Sequence, residues 1–359
     1  MIPVTKPYLP NIDEYQVYLK QIWDRNWLTN NGPLVNELEL RLKDYLKIDH
    51  LLYLNNGTIA LQIAIKAMNL SGEIITTPFS YVATTSSIVW EGCQPVFTDI
   101  DPDTLNIDPA KIEQAITSKT TAIIATHTYG NPCNIEAIQS IANNHGLKVI
   151  YDAAHGFGTE YKGKSIFSYG DISTASFHAT KLFHTIEGGA VITSDPLLLK
   201  RMAYMRNFGH NGPEDFAEIG INGKNSEFHA AMGLVNLPHV ESIISNRQRL
   251  IDRYRNLLVY MKARTIKISK DTKYNFAYFP IVFESEPALL KAVELLNAHW
   301  IFPRRYFHPS LNKLRYVCQK KLTVCDDLSL KVLCLPLYDT LTEEEVDFTC
   351  RLILRAQNN

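Results

Sequence analysis

Apolar and polar positions along the chain alternate between two periods. Short runs rich in β-branched and aromatic residues occur at Leu51–Leu54, Glu73–Thr76, Pro95–Thr98, Thr121–Thr126, Lys148–Tyr151, Ser173–Phe177 and Ala190–Thr193. Between several of them lie stretches with helical spacing, at Thr58–Met68, Pro109–Ile116 and Ile135–Asn144. Strands alternating with helices predict a mainly parallel sheet with helices on both faces. The segment Thr58–Met68 is apolar nearly all round, with Gln62 and Lys66 as its polar stripe, so it belongs buried against that sheet.

A second unit follows a long helical connection near Pro238–Met261. It offers a strand at Tyr274–Phe283, a helix at Glu286–His299, a strand at Lys331–Leu335 and a final helix. Thr342 and Glu345 open that helix with the S/T-x-x-E capping pattern, and Val346, Cys350, Ile353 and Leu354 follow at helical spacing. The expected fold class is α/β, with a large domain over residues 1–243 and a smaller C-terminal α/β domain over 244–359.

Composition narrows function more than fold. A chain of 359 residues is long enough for two cores. Lys plus Arg (36) nearly balance Asp plus Glu (37), so no overall field draws the chain to nucleic acid or acidic lipid. The six cysteines form no CxxC pair and no ligand-like alternation with histidine, which predicts buried, reduced thiols and no metal site. The opening Met1–Pro10 carries three prolines and no apolar core of a leader, and no run is long enough to span a membrane. A cytoplasmic protein is expected.

In open α/β sheets, ligands bind beyond the carboxyl ends of the strands. Gly57-Thr58 stands there at a helix start, with free N–H groups, the positive end of a helix dipole and a hydroxyl, which suits a phosphate or a plain turn and cap. Asp152 follows the apolar strand KVIY and precedes two alanines, where a carboxylate is costly unless it caps a helix or meets a cation. Such a cation would be the protonated nitrogen of a pyridine cofactor. Lys181 lies in SFHATKLFHTIEGGAVIT, flanked by Phe177, Leu182, Phe183 and the Gly188-Gly189 pair. A partly desolvated lysine has a lowered pKa and can attack a carbonyl or move a proton. Ser176, five residues earlier, can offer its hydroxyl to the phosphate.

These blocks, in this order, resemble the DegT/DnrJ/EryC1/StrS family of sugar aminotransferases, which are fold type I pyridoxal 5'-phosphate (PLP) enzymes. The resemblance runs from WLTNNGP…ELE (27–40) through NGTIAL (56–61), TTPFSYVAT (76–84), HTYGNP (127–132), VIYDAAHGFGTEYKG (149–163) and SFHATKLFHTIEGGAVIT (176–193) to GINGKNSEFHAAMGL (220–234). It implies a seven-stranded, mainly parallel sheet in the large domain and a PLP cofactor bound covalently as a Schiff base on Lys181. It further implies that Asp152 pairs with the pyridinium nitrogen, that Tyr81 stacks on the ring and that His155 stands near the ring hydroxyl. Gly57, Thr58 and Ser176 would hold the phosphate. Asn222 would reach the phosphate of a neighbouring subunit, which implies a homodimer with sites at the subunit interface. Tyr306 and His308 in PRRYFHP (303–309) resemble a stretch near the sugar. The family often reads G-x-N-x-R-M where this chain has Gly220-Ile221-Asn222-Gly223-Lys224-Asn225, so a substrate role of Lys224 loses arginine's two-pronged fork.

Within the family, the blocks look most like enzymes that use L-glutamate to aminate the C4 ketone of dTDP-4-keto-6-deoxy-D-glucose, for O-antigen and other surface polysaccharide. Amination at C3, or of a UDP-linked 2-acetamido-4-keto sugar, stays open. A nicotinamide dehydrogenase would share the βα alternation, but no GxGxxG follows the first strand. A non-catalytic PLP-binding regulator would need a basic helix-turn-helix outside the two domains, and none is present.

Overall fold

The computed structural model describes residues 1–358. The seven apolar runs become the seven strands of one sheet: β1 His50–Leu54, β2 Glu73–Thr76, β3 Gln94–Phe97, β4 Thr120–Thr126, β5 Lys148–Asp152, β6 Ile172–Ser176 and β7 Gly189–Thr193. Their order is β1-β7-β6-β5-β4-β2-β3, and only β7 runs against its neighbours. Successive residues such as Ile74 and Ile75, Ile123 and Ile124, or Val149 and Ile150 are all buried, because both faces of the sheet are covered. The helix Gly57–Ala67 packs against β6 and β7 with Ala60, Leu61, Ala64 and Ile65 buried, as its apolar girth requires.

The expected helix Pro109–Ile116 is shorter: one α-turn, Pro109–Ile112, gives way to a 3-10 turn at Glu113–Ala115. Two amphipathic helices, Ile12–Arg25 and Pro33–Leu46, precede the sheet. The second begins at Gly32-Pro33, where Glu227 accepts hydrogen bonds from the Leu34 and Val35 N–H groups, each 2.9 Å long. A β-carbon on Gly32 would lie 2.5 Å from the Glu227 carboxyl carbon, so any larger residue would have to push the carboxylate away from the helix end.

Helix Val240–Leu257 joins two cores. Val240, Ile243 and Ile244 are buried with the large sheet, whereas Leu250, Ile251 and Tyr254 are buried in a second cluster, so a division after residue 243 falls inside this helix. The second cluster lies between an antiparallel sheet, β8 Ala263–Thr265, β9 Phe279–Phe283 and β10 Val332–Leu335, and the helices Glu286–Ala298 and Glu343–Asn358. The last helix carries a reciprocal capping box: Thr342 N–H donates to Glu345 Oε2 (2.9 Å) and Glu345 N–H to Thr342 Oγ1 (3.2 Å).

The strand expected from Tyr274 begins only at Phe279. Tyr274 donates instead to the Tyr129 carbonyl, and the Asn275 amide donates to the carbonyls of His155 (2.7 Å) and Phe157 (2.9 Å). Phe276 then takes a positive φ of 53°, which breaks the ladder. All six cysteines are unpaired; five are buried as expected, and Cys318 is exposed. No helix among the described residues is long and apolar enough to cross a membrane.

Candidate active site

The carboxyl ends of β1, β2, β4, β5 and β6 open into a cavity of about 240 Å³. Gly57, Thr58, Tyr81, Asp152, His155, Ser176, Lys181 and Tyr306 all line it. A larger depression of about 700 Å³, walled by Tyr45, Ile48, Tyr169 and Lys273, lies at the other ends of the strands and holds none of these residues.

One end of the cavity is built for an anion. Asn56 caps helix Gly57–Ala67, its side chain accepting from Ile59 N–H at 2.8 Å, which leaves the N–H groups of Gly57 and Thr58 free. A β-carbon on Gly57 would lie 2.9 Å from Ser176 Cβ, and one on Gly189 would lie 2.5 Å from the Asn56 carbonyl. The loop therefore sits directly on β6 and β7, with the Ser176 hydroxyl beside the helix start. Asn225 locks this floor from behind, donating to Tyr53 Oη and the Glu187 carbonyl (both 2.9 Å) and more loosely to Leu54.

At the other end stands Asp152, buried and without an ion pair among the described residues. Its Oδ2 accepts from Thr84 Oγ1 at 2.6 Å and its Oδ1 from Ala154 N–H at 3.1 Å. Burial pushes the carboxyl up, opposed by the Thr84 hydroxyl, the Ala154 N–H and the charge of Lys181.

Lys181 lies on the loop between β6 and β7. Phe177 N–H donates to Gly188 O (2.7 Å) and Thr185 N–H to Phe177 O (2.9 Å), which closes that loop into a tight arch. Leu182 and Phe183 are buried beneath it. Burial lowers the ammonium to about 8; Asp152 opposes the shift and the Arg304 cation adds to it.

His155 is buried, and burial holds its imidazole well below the usual histidine range. Its Nδ1 accepts from Tyr129 N–H at 3.2 Å, so the neutral ring carries its proton on Nε2 and is a donor there. Tyr278 crowds the same ring at 4.6 Å, and Phe307 lies nearly parallel to it. Tyr81 stands at the mouth, 53% exposed.

Three expected residues lie outside the cavity wall. Asn222 is exposed, and its carbonyl accepts from the Asn55 side chain. Lys224 is turned away, donating to Asn207 Oδ1 at 2.8 Å and lying 4.4 Å above the Phe208 ring. His308 is exposed beyond Tyr306. Residues that the motifs did not single out are also in the wall, among them Glu187, Tyr278 and Arg304. Arg304 is held by its backbone, bridged to Cys334, and its guanidinium lies 4.5 Å from the Tyr306 ring centroid, with no carboxylate partner among the described residues.

A glycine-lined anion cradle, a buried carboxylate lacking a cation and a lysine with a lowered pKa fit the phosphate, ring nitrogen and aldehyde of PLP. The fold and site define a PLP-dependent aminotransferase of fold type I. The chain belongs to the DegT/DnrJ/EryC1/StrS aminotransferase family, whose model matches residues 11–353. It is 43% identical, over 98% of both chains, to a dTDP-4-amino-4,6-dideoxy-D-glucose transaminase of Escherichia coli. Identity is 31% to GDP-perosamine synthase of Escherichia coli O157:H7, over 98% of this chain and 97% of the other. Among solved structures, DesI in the presence of its TDP-sugar product superposes with a TM-score of 0.94 at 32% identity, covering 99% of this chain and 93% of that one.

Proposed function

We propose that this chain transfers the amino group of L-glutamate to the C4 ketone of dTDP-4-keto-6-deoxy-D-glucose, giving dTDP-4-amino-4,6-dideoxy-D-glucose and 2-oxoglutarate. The observation that carries this reading is the 43% identity to the Escherichia coli transaminase over nearly the whole of both chains. The reading places the enzyme in the cytoplasm, on a route to O-antigen or another surface polysaccharide.

In this reading Gly57, Thr58 and Ser176 would hold the cofactor phosphate, Tyr81 would cover the ring, and His155, a donor at Nε2, would serve the ring oxygen. Asp152 holds the ring nitrogen protonated, which only an anion can do in a buried place. When bound, PLP supplies an electron sink that acidifies the α-carbon of the donor and stores the amino group between half-reactions. Lys181 would hold the cofactor aldehyde, and its Nζ would be the group that takes the proton from the glutamate α-carbon and later delivers one to C4 of the sugar. An amine near pKa 8 can do both at neutral pH. Arg304, the cation at the mouth, takes a carboxylate of glutamate.

The same reading makes the active unit a homodimer. Trp23, Trp27, Phe208, Phe216 and Ile219 are large apolar side chains exposed on the single chain, which a partner subunit would cover. Asn222 would then serve the partner's cavity, which agrees with its place outside its own. Tyr306 would face the sugar.

The test is an assay with enzyme, PLP and glutamate, offering dTDP-4-keto-6-deoxy-D-glucose, its 3-keto isomer and a UDP-2-acetamido-4-keto sugar. The expected product, identified by NMR, is amination at C4 of the dTDP sugar; turnover only of another sugar would overturn the assignment.

A further inference from the structure

From Asp152 runs a line of three buried hydroxyls, of which Ser80 and Thr126 also border the cavity floor. Thr126 Oγ1 donates to Ser80 Oγ at 3.0 Å, Ser80 and Thr84 share a hydrogen bond of 2.7 Å, and Thr84 Oγ1 donates to Asp152 Oδ2 at 2.6 Å. All four side chains are buried. Ser80 and Thr84 are four residues apart, at the entry and in the first turn of helix Val82–Trp90, while Thr126 closes β4 beside Asp152 on β5.

The direction of the line follows from counting protons. An ionised carboxylate only accepts, so Thr84 gives it its single proton and must itself accept from Ser80. Ser80 in turn has only its lone pairs left for Thr126. Three protons then serve three contacts. A carboxyl proton placed on Oδ2 would meet the Thr84 hydroxyl proton head-on and would have to reverse the whole line, while Oδ1 accepts from Ala154 N–H. A buried donor without a partner is costly, and hydrogen bonds in series polarise one another.

We propose that Thr84 is a positioning residue, the last link of a one-way hydroxyl line from Thr126, that keeps Asp152 ionised and aimed at the cavity before any ligand arrives. Thr84 itself does not line the cavity, so it acts only through Asp152. The line adds to the distant charge of Lys181 in opposing the desolvation of a carboxylate that makes no ion pair among the described residues. This inference rests on the reading that Asp152 faces the cofactor nitrogen.

The experiment is a pH titration of Asp152 in the full-length, cofactor-free chain by infrared difference spectroscopy, with Asp152→Asn subtracted to assign the carboxyl band. Thr84→Val, which keeps the shape and loses the hydroxyl, raises the Asp152 midpoint by about one pH unit or more. Thr84→Ser restores it. In the loaded enzyme Thr84→Val lowers kcat about tenfold, the equivalent of one pKa unit, with little change in KM for glutamate, and Thr84→Ser recovers the rate. An unmoved midpoint in Thr84→Val overturns the proposal. So does a Thr84→Ser variant as impaired as Thr84→Val, which would assign the effect to the methyl group. Should Thr84→Val fail to fold, Ser80→Ala breaks the line one link back: a smaller upward shift supports the proposal and no shift overturns it. A near-normal rate in Asp152→Asn would instead remove the reading of Asp152 itself, whereas an inactive Asp152→Asn beside an unmoved Thr84→Val removes only the hydroxyl line.

Discussion

Gly57 and Ser176 meet across the start of a helix so closely that a β-carbon on the glycine would stand 2.9 Å from that of the serine. The contact presses the first helical turn onto the end of β6 and presents two N–H groups and one hydroxyl to the same point. Gly57→Ala must push the loop off the strand. We expect its PLP affinity to fall at least about tenfold, as for loss of a charge-assisted hydrogen bond, while Ser176→Ala loses less. Absorbance titration of the cofactor-free variants measures both.

Lys181→Ala should abolish turnover and leave the chain folded, and borohydride should no longer fix the cofactor to it. The lysine also sets a pH dependence. Its ammonium is held at about 8, below the ordinary lysine value, so the neutral amine grows as pH rises through 8 and the rate of covalent cofactor capture levels off above that. Stopped-flow absorbance against pH reads the midpoint.

Arg304 helps to lower that midpoint and stands free at the mouth. Arg304→Gln removes a cation, so the Lys181 midpoint should move up toward the ordinary value. The same change should raise KM for glutamate by about ten- to a hundredfold, in line with roughly 1.5–3 kcal/mol for a hydrogen bond to a charged group, with kcat much less affected. Arg304→Lys should recover only part. Initial-rate kinetics at saturating sugar decide it.

Far from the chemistry, Glu227→Ala leaves the buried N–H groups of Leu34 and Val35 without an acceptor. The expected loss is about 2–4 kcal/mol, from two unsatisfied donors at a helix start. Glu227→Gln, which keeps one acceptor oxygen, should lose less. Urea unfolding of the cofactor-free chain gives both values.

The strands of the large sheet are legible because strands buried on both faces are near-continuous apolar runs with turn residues at their ends. Asp152 stands out because it is a charge at the very end of such a run, and Lys181 because it is a charge among apolar residues in the short loop between two of them. Arg304 does not. It is half of an Arg-Arg pair, and which arginine faces the cavity depends on the bridge to Cys334, which sends Arg305 to Glu286 instead. Within PRRYFHP, Arg304, Tyr306 and the adjacent Phe307 line the wall and His308 does not, so a simple alternation would have misplaced two of them. Ser80 and Thr84 lie within a quoted motif, but their link to Asp152 crosses three strands and has no local signature. Residues 274–278 read as strand by composition, yet hydrogen bonds to the large domain outcompete the ladder.

The antiparallel placement of β7 also constrains how the chain is made. Strand β1 has no partner in the sheet except β7, which lies between it and β6. A nascent chain emerging from the ribosome can pair β2 with β3, and then add β4, β5 and β6, while β1 and the Gly57-Thr58 turn after it wait outside the sheet. Only when Thr193 has cleared the exit tunnel can the hairpin-like return slot in, draw β1 to the edge and set Gly189 under Asn56. The anion cradle is thus among the last parts of the large sheet to exist, although Gly57 and Thr58 are translated well before Ser176, and a chain truncated before β7 would have a partial sheet with no assembled cradle.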